Sequence, residues 1–471
     1  CRVGGSFQGL VVMSDLSKPR RWLLLPIETK AREFHAKTLL AAAAAERGFD
    51  VLLGDQNAIL AQLAHLPVGI YVDKSIARTK VAHFQLLRDA GYVVCAWCEE
   101  GVVYRDRDTY LHQRIAPEAM AQVDRFFAWG QNQADDIAFK LPDAAGKIRA
   151  IGNPRFDLLR PEFRAIFADE AKAHQSQHGR YLLINTNFSR FNHFLGQDFW
   201  IKAQRQRGGI KTAADQAAVQ HWIDFIGKIF HGFAHALPDL SRAFPDHTII
   251  LRPHPSEDHG AWGEAAAGLG NVQVLHHGNV IPWILGADCV LQNSCTTGVE
   301  AHVLGVPVAA YRPATDAVVD SHLPNLLSRN AYSPDELIET VSALMTGRMG
   351  PPDDVGDKAG HYLAAATGSL AADRIADELA ALDGPKAGFA QDPLPRIGRL
   401  GTRVATALRP RIRRLVRGGR AADYANQKFP GMDVDEVRGV LAQLQSVSGR
   451  FSDVGAADLP LHHCFHISKS S

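Results

Sequence analysis

The sequence predicts an α/β protein with two doubly wound parallel sheets, followed by a basic helical C-terminal segment. From Arg21 onward, short and nearly continuous apolar runs alternate with helical stretches, and a second series of the same kind begins at Tyr181. Strands that are buried on both faces have continuous apolar runs, and parallel neighbours need crossover helices between them. Residues 396–420 differ, because they hold nine arginines and no acid.

The length and charge of the chain limit its organisation and its partners. A chain of 471 residues is too long for one ordinary core and suits two domains with an appendage. The formal net charge of +1 gives no argument for nucleic acid, so we expect no nucleic-acid partner. The predicted divisions are a disordered N-terminal extension, an N-terminal acceptor domain, a C-terminal nucleotide-sugar domain and a basic amphipathic helical tail, at residues 1–20, 21–165, 178–383 and 384–471.

The strands of each half are predicted in order from their apolar runs. In the first half they are "WLLLPIE", "FDVLLGD", "VGIYVD", "YVVCAW", "RFFAWG" and "KIRAIGN", and the helix "REFHAKTLLAAAAAERG" ends at Gly48. In the second half they are "RYLLINTNF", "HTIILRPHP", "VQVLHHG", "ADCVLQNS" and "VPVAAYRP". Ligands of open α/β sheets bind beyond the carboxyl ends of strands, so the loops that follow these runs are the candidate sites.

The arginine-rich segment predicts contact with a membrane surface. Its apolar residues recur at steps of three and four, which is one face of a helix: Ile397, Leu400, Val404, Leu408, Ile412 and Leu415. A basic amphipathic helix suits an anionic membrane surface. The alternative is a helix that packs on the sheets with a solvated basic face, and Pro410 predicts a break or kink.

The loop "RPHP" after the strand "HTIIL" predicts a phosphate site. Arg252 carries a permanent charge that matches phosphate oxygens, and His254 can donate a hydrogen bond to a phosphate or a proton to a leaving group. The prolines on both sides of His254 restrict the backbone, so we expect both side chains to be held in place. The alternative is a loop histidine without a role.

A second loop, "QNSCTTGVE", predicts an anion site at the start of a helix. Hydroxyls at Ser294, Thr296 and Thr297 stand next to a helix N-terminus, where backbone N–H groups favour anions. Glu300 in the first turn is placed to bind ribose hydroxyls. Simple N-capping by the hydroxyls is the alternative, and both can hold together.

Three further strand ends carry polar residues. Glu99 and Glu100 in "CEEG" form an adjacent acid pair that suits general base catalysis. The short polar side chains in "NTNF", after the first strand of the second half, are Asn185, Thr186 and Asn187. "GNPRFD" adds Arg155 and Asp157, and each of the last two motifs is weak evidence alone.

Together these motifs resemble a known group of enzymes. Two α/β halves with an acid-acid-glycine motif in the first and histidine-proline and serine/threonine motifs in the second are similar to the GT-B glycosyltransferases, which have two Rossmann-like domains. The set resembles the CMP-sugar-using Kdo transferases and bacterial sialyltransferases. Over most of residues 20–435 the chain resembles the bacterial surface carbohydrate biosynthesis protein family, in the pieces "IGNPRFD", "LINTNF", "RPHPSED", "QNSCTTGVEA" and "QKFPGM" among others.

The resemblance implies roles for the matching residues. His254 would contact the CMP phosphate with support from Arg252, and Ser294, Thr296 and Thr297 would bind phosphate. Glu300 would bind ribose, and Glu99 or Glu100 would activate the acceptor hydroxyl. The acceptor, a glycan or glycolipid, would contact Glu28, Arg32 and Glu33 on the first strand-to-helix turn. A retaining mechanism would need a carboxylate nucleophile, for which Asp157 is the candidate.

Several alternatives stay open from the sequence. The predicted reaction needs no cofactor and no metal, since no metal-binding motif stands out at the predicted cleft. The runner-up function is a CDP-glycerol-type glycerophosphotransferase of teichoic-acid-like polymers, and a different class is a non-catalytic GT-B scaffold. The resemblance implies a cytoplasmic protein on the inner face of the bacterial inner membrane, working in capsule or lipopolysaccharide assembly.

Overall fold

The structure is a computed structural model that describes residues 21–63, 66–104, 106–206, 208–353, 355–384 and 429–470. The predicted extension at residues 1–20 and the arginine-rich segment at residues 396–420 lie outside these ranges, so both stay predictions. Within the described ranges, no helix combines the length and the apolar character that a bilayer crossing requires.

The apolar runs form the predicted strands. Eight strands belong to a first sheet, which consists of β1 (Arg21–Ile27), β2 (Phe49–Asp55), β3 (Ile70–Asp73), β4 (Val93–Trp97), β5 (Arg125–Ala128), β6 (Ile148–Ala150), β13 (Val454–Asp458) and β14 (Cys464–Lys469). Six belong to a second sheet, which consists of β7 (Tyr181–Asn185), β8 (Thr248–Arg252), β9 (Val272–Val274), β10 (Cys289–Gln292), β11 (Val308–Tyr311) and β12 (Arg329–Ala331).

Helices connect the parallel strands. Those up to the end of β6 and its loop are α1 (Lys30–Glu46), α2 (Gln56–Leu60), α3 (Val81–Asp89), α4 (Arg107–Arg114), α5 (Pro117–Met120), α6 (Gln131–Lys140) and α7 (Pro154–Asp157). The later ones are α8 (Ala168–His178), α9 (Gln197–Gln206), α10 (Ala213–Ala243), α11 (His259–Ala265), α12 (Val280–Gly286), α13 (Thr296–Leu304), α14 (His322–Leu326), α15 (Pro334–Met345), α16 (Val355–Tyr362), α17 (Ala371–Ala381) and α18 (Val434–Ser448). Short 3-10 turns lie at Arg78–Lys80, Pro142–Lys147 and Arg164–Phe167.

The chain divides into two compact units. The first comprises Cys1–Val72, Leu87–Val93 and Ala372–Ser471, and the second comprises Asp73–Leu86 and Val94–Ala371. In the first unit the strand order is β13-β14-β2-β1-β3, with β1 parallel to both of its neighbours. In the second unit β4, β5 and β6 pair in parallel, and the second sheet has the all-parallel order β12-β11-β10-β7-β8-β9. These sheets confirm the predicted doubly wound α/β fold.

The prediction that residues 384–471 form a helical tail is wrong for the described part of that segment. Residues 429–470 form α18 and the antiparallel hairpin of β13 and β14, and β14 pairs antiparallel with β2. Cys464, Phe465 and Ile467 are buried in that pairing, while Ser468 and Lys469 are less buried. Residues 429–470 therefore extend the sheet of the first unit.

A buried ion pair fixes the start of α1. Lys37 and Glu33 stand one helical turn apart with 2.8 Å between Nζ and Oε2, and both side chains are buried. Glu33 also accepts hydrogen bonds from the backbone N–H groups of Glu28 and Thr29, while Lys37 donates to the carbonyl of Pro26. The pair thus ties the end of β1 to the first turns of α1.

We predict that Lys37→Met destabilises the first unit by about 3 kcal/mol, because it leaves the Glu33 carboxylate buried without its cation. Urea denaturation followed by circular dichroism measures this loss. The double variant Glu33→Gln/Lys37→Met removes both charges and is expected to recover most of the stability. Equal stability of Lys37→Met and the unchanged protein would contradict the assignment.

Candidate functional site

Three of the predicted motifs meet at one edge of the second sheet. The strands β10, β7 and β8 are parallel neighbours in that order, so the loops at their carboxyl ends lie side by side. These loops carry residues 185–187, 252–254 and 294–297, all within the second unit. The parallel register therefore brings together side chains that are separated by about 40 to about 110 residues in sequence.

The backbone around His254 sets the protonation of its ring. Nδ1 of His254 accepts a hydrogen bond from the backbone N–H of Ser256 at 3.1 Å. Because a backbone N–H can only donate, the neutral imidazole carries its proton on Nε2. The half-buried ring thus presents an N–H donor on its other side, which is the form that suits contact with a phosphate oxygen.

Glu257 organises this loop, and the sequence analysis missed it. Its carboxylate is 1 % exposed and accepts four kinds of donor. These are the Thr186 hydroxyl, the Trp262 indole N–H and the backbone N–H groups of Phe188 and His254, at 2.8 to 3.1 Å. Burial raises the pKa of Glu257, and the hydrogen bonds from these donors oppose that shift. The result is a rigid connection between the loops after β7 and β8.

Arg252 lies behind the loop and braces the backbone after β9. Its buried guanidinium donates to the carbonyls of His277 at 2.7 Å and Gly278 at 3.4 Å and lies 5.0 Å from the Trp283 ring centre. Burial lowers the pKa of Arg252 to about 10, which leaves it a cation at neutral pH. The expected role of Arg252 in supporting His254 at a phosphate stays a prediction, as does its direct contact with phosphate.

The loop before α13 has the backbone of an anion site. The N-cap residue of α13 is Cys295, and no side chain caps the helix, so simple N-capping by the neighbouring hydroxyls is excluded. Ser294 adopts a positive φ of 54°, and the buried Gln292 side chain accepts the N–H of Cys295 at 2.8 Å. The helix thus begins at Thr296 and Thr297 with its positive dipole end toward the sheet edge.

Two buried amides beside this loop lack hydrogen-bond partners in the described part of the chain. Asn185 and Asn293 are 4 % and 5 % exposed, and Nδ2 of each has no acceptor. Asn293 Oδ1 accepts the backbone N–H of Asn187 at 2.8 Å, which fixes its orientation. Buried polar groups are nearly always paired, so two orphan donors at one strand edge indicate a place where a ligand supplies acceptors.

An arginine links the predicted carboxylates. Arg155, in α7 after β6, donates to Glu99 Oε2 at 3.5 Å and to Glu300 Oε1 at 2.8 Å. Glu99 Oε1 also accepts the Trp97 indole N–H at 2.7 Å. All three charged side chains are largely buried, and one arginine balances two carboxylates. The motif "GNPRFD", weak by itself, therefore contributes the residue that joins the acid pair to the predicted ribose-binding residue.

Glu100 occupies a more exposed position than Glu99, on a fixed turn. The backbone N–H of Gly101 donates to the carbonyl of Cys98 at 3.0 Å, which closes the turn. A Cβ at Gly101 would lie 2.8 Å from Cδ1 of Trp129, so only glycine fits there. Glu99 is buried and Glu100 is half-buried, and which of the two carboxylates meets a substrate stays a prediction.

The remaining predicted residues have structural partners. Asp157 is buried and its carboxylate accepts the backbone N–H of Ala371 at 2.8 Å, at the start of α17. This favours a helix-capping role, and the assignment of Asp157 as nucleophile stays a prediction. Glu28, Arg32 and Glu33 lie in the first unit, where the Glu33 carboxylate binds Lys37. Their contact with an acceptor stays a prediction.

A polar pocket adjoins Ser294. Its volume is about 580 Å³, within the range of small-molecule sites, and its lining includes Arg312, Asp320, Asn325 and Asn330. The Ser294 hydroxyl contacts Asp320 Oδ1 at 3.2 Å and accepts from Asn325 Nδ2 at 3.1 Å, so it hydrogen-bonds to two residues of the pocket lining. The described residues contain no group of three or more His, Cys, Asp and Glu suited to a metal ion. Metal independence stays a prediction.

Burial and the charge of Arg252 act on two histidines, the buried His174 and the partly buried His276. His174 stacks on Trp283 with 3.7 Å between ring centres, and its Nε2 lies 3.7 Å from Glu170 Oε1. Burial, the charge of Arg252 and the neighbouring histidines lower the pKa of His174 to about 4. The pKa of His276 is also lowered to about 4, chiefly by burial. These rings are therefore neutral in the folded protein at neutral pH.

Comparison with known proteins identifies the fold. No protein-family model matches the chain, and no curated protein matches it. Two structures of the wall teichoic acid polymerase TagF, one with CDPG, give TM-scores of 0.50 at 11 % and 10 % identity. They cover 77 % of this chain and 88 % and 89 % of those chains. UDP-GlcNAc 2-epimerase from Methanocaldococcus jannaschii has a TM-score of 0.49 at 11 % identity, over 77 % and 99 %. The likeness to TagF supports the expected GT-B-like fold.

Replacement of Arg155 by methionine should lower the free energy of unfolding by about 3 kcal/mol, because two buried carboxylates lose their shared cation. Urea denaturation measures this change. The matched control is Arg180→Met, which removes the exposed pair with Asp288 and should cost less than about 1 kcal/mol. Similar losses in the two variants would refute the central position of Arg155.

The low pKa of His174 predicts a pH dependence of stability. An unfolded histidine gains a proton below its ordinary pKa of 6.5, whereas folded His174 gains one only near pH 4. Its stabilising contribution is therefore complete above pH 6.5 and is lost as the pH falls toward 4. Between pH 7 and pH 5, we expect the free energy of unfolding of His174→Gln to fall by about 1 kcal/mol less than that of the unchanged protein. Urea titrations at the two pH values measure this difference. An unchanged pH slope would show that His174 does not titrate as described.

Proposed function

We propose that this protein is a glycosyltransferase of bacterial surface polysaccharide assembly that transfers a sugar from a CMP-sugar donor. The donor sugar is Kdo or a related ulosonic acid, and the acceptor is a glycan or a lipid-linked glycan. The observation that carries the proposal is the convergence of hydrogen-bond donors at the edge formed by β10, β7 and β8. The N–H of His254 and the orphan amides of Asn185 and Asn293 lie on adjacent loops beside the start of α13.

A nucleotide phosphate matches these donors in charge and in hydrogen bonding. The buried amide N–H groups of Asn185 and Asn293 supply donors that need acceptors. The ring of His254 presents its N–H at Nε2, and the N-terminus of α13 favours negative charge. When the bond between the anomeric carbon and the phosphate oxygen breaks, its electron pair goes to CMP. The same donors then stabilise the growing negative charge on the phosphate, which lowers the barrier. Ser294 and the neighbouring pocket lie next to this position and suit the transferred sugar.

The carboxylates divide the remaining tasks. Glu100 serves as the general base that takes the proton of the acceptor hydroxyl as its oxygen bonds to the anomeric carbon. Glu99 and Glu300 are held by Arg155, so ribose hydroxyls would meet Glu300 as part of this charged group. This assignment needs one base and holds for an inverting course, and a retaining course would need a nucleophile in addition.

The second candidate is a glycerophosphotransferase that uses CDP-glycerol. The likeness to TagF, a wall teichoic acid polymerase with CDPG in one structure, favours it. The same phosphate-binding donors would serve, since CMP is again the leaving group. The bond that breaks would then be the one between the two phosphates, and glycerophosphate would pass to the acceptor.

A donor assay separates these candidates. The purified full chain is incubated with CMP-Kdo, a CMP-sialic acid and CDP-glycerol, and CMP release is measured for each. Release from a CMP-sugar supports the sugar transferase. Release from CDP-glycerol alone would replace it by the glycerophosphotransferase, and absence of binding to every nucleotide would favour a non-catalytic scaffold.

His254→Ala should weaken CMP binding by about tenfold or more, because a charge-assisted hydrogen bond to phosphate is lost. Isothermal titration calorimetry measures the dissociation constant. The control is His112→Ala, an exposed histidine on α4 in the same unit, which should bind CMP normally. Equal binding by both variants would remove His254 from the phosphate site.

Glu100→Gln should bind CMP normally and reduce kcat by about a hundredfold or more, because the amide cannot accept the acceptor proton. Steady-state kinetics of CMP release with acceptor present measure this effect. If Glu100→Gln keeps full activity while Glu99→Gln loses it, the base is the other carboxylate of the pair.

A further inference from the structure

An aromatic and basic segment lies between β7 and α10. Residues 188–211 connect β7 to α10 and contain α9, in which no residue is buried. Phe194 is 38 % exposed and Phe199 is 47 % exposed, while Trp200 and Ile201 are partly exposed. A protein that keeps several large apolar side chains in solvent on one short segment generally uses them for an interaction.

The charge of this segment indicates its partner. Residues 188–211 contain five basic residues and one acid, although the chain as a whole has a net charge of only +1. Lys202 and Arg205 are exposed residues of α9. Because successive residues of an α-helix are rotated by about 100° around its axis, Phe199, three residues before Lys202, lies on the same side of α9. Lysine is depleted in protein–protein interfaces, whereas cations beside aromatic rings suit the headgroup region of an anionic bilayer.

The segment is fixed firmly to the rest of the second unit. Phe188 is fully buried, and Phe191 packs so tightly on α10 that a Cβ at Gly227 would lie 2.6 Å from its ring. The exposed residues that follow are therefore presented on a rigid base. This argues against a mobile loop whose aromatic residues are exposed by chance.

Hydrogen bonds join the same segment to the loop of His254. The backbone N–H of Phe194 donates to the carbonyl of Ser256 at 2.9 Å, and the backbone N–H of Asp258 donates to the carbonyl of Asn192 at 3.0 Å. Ser256 in turn donates to the ring of His254. One residue, Ser256, therefore separates the exposed aromatic segment from the imidazole of the candidate phosphate site.

We propose that the exposed part of this segment, residues 194–206, docks on the surface of an anionic lipid bilayer. Phe194 and Phe199, with Trp200 and Ile201, enter the headgroup region, and Lys202 and Arg205 bind anionic headgroups. The docked surface places the loop of His254 beside the bilayer, where a lipid-linked acceptor would be found. The docking itself is independent of the donor that the enzyme uses.

Vesicle binding of the full chain tests this docking. Sedimentation with vesicles of phosphatidylcholine, with and without phosphatidylglycerol, is compared for the unchanged protein and Phe194→Ser/Phe199→Ser. We expect binding to the anionic vesicles, and about tenfold weaker partition for the double variant. The measurement is repeated at about 1 M salt, where screening removes the long-range attraction of basic residues elsewhere in the chain. The difference between the two proteins should persist there.

The matched control is Phe139→Ser on α6. Phe139 is more exposed than either segment residue, at 68 %, and lies under Arg107 with 4.0 Å to its ring centre. Its replacement should leave vesicle binding unchanged. An equal loss in Phe139→Ser and the double variant would mean that any exposed aromatic residue contributes, which overturns the docking site.

Two further results decide between occupants. Brominated lipids should quench tryptophan fluorescence, and Trp200→Phe should lose part of that quenching. Absence of vesicle binding by the unchanged protein would overturn the proposal. So would a change in its oligomeric state on Phe194→Ser/Phe199→Ser, measured by analytical ultracentrifugation, because the segment would then be a contact between copies. CMP binding by the double variant is expected to be normal, so its result is separate from the test of the proposed transferase.

Discussion

The candidate site depends on the hydrogen bonds that the buried carboxylate of Glu257 accepts. A carboxylate loses its hydration when it is buried, and here the donors of Thr186, Phe188, His254 and Trp262 replace that hydration. Each donor comes from a different position along two loops and one helix. The loops after β7 and β8 therefore have one arrangement, and the exposed segment that follows Phe188 starts from a fixed point.

Charge compensation orders the second part of the site. Arg155 lies between Glu99 and Glu300, and without it two buried carboxylates would lack a cation. The same arginine, in α7, connects the chain after β6 with Glu300 of α13. Glu100 is less buried than Glu99.

The described part of the C-terminal segment, residues 429–470, contributes two strands to the sheet of the first unit. β14 pairs with β2, and α18 lies in the same unit as α1, so residues 429–470 pack with the first two strands and the first helix of that unit. Arg450 strengthens this packing through ion pairs with Glu46 and Asp373, at 2.5 and 2.8 Å. Covering the edge of β2 in this way also protects a sheet edge that would otherwise be open to pairing with another chain.

The sequence by itself determined the doubly wound fold and the loops that carry the site. Continuous apolar runs mark strands buried on both faces, so β1 to β11 were predictable from local pattern, and the sheet-end rule then selected residues 185–187, 252–254 and 294–297. Only the tertiary structure decided the contacts that the residues of these loops make. Glu257, Arg155 and the orphan amides of Asn185 and Asn293 owe their roles to neighbours far away in the chain. Asp157 caps α17, and β14 pairs with β2, for the same reason. Local patterns report burial and backbone conformation, whereas hydrogen bonds and ion pairs between distant residues arise only when the sheets are assembled.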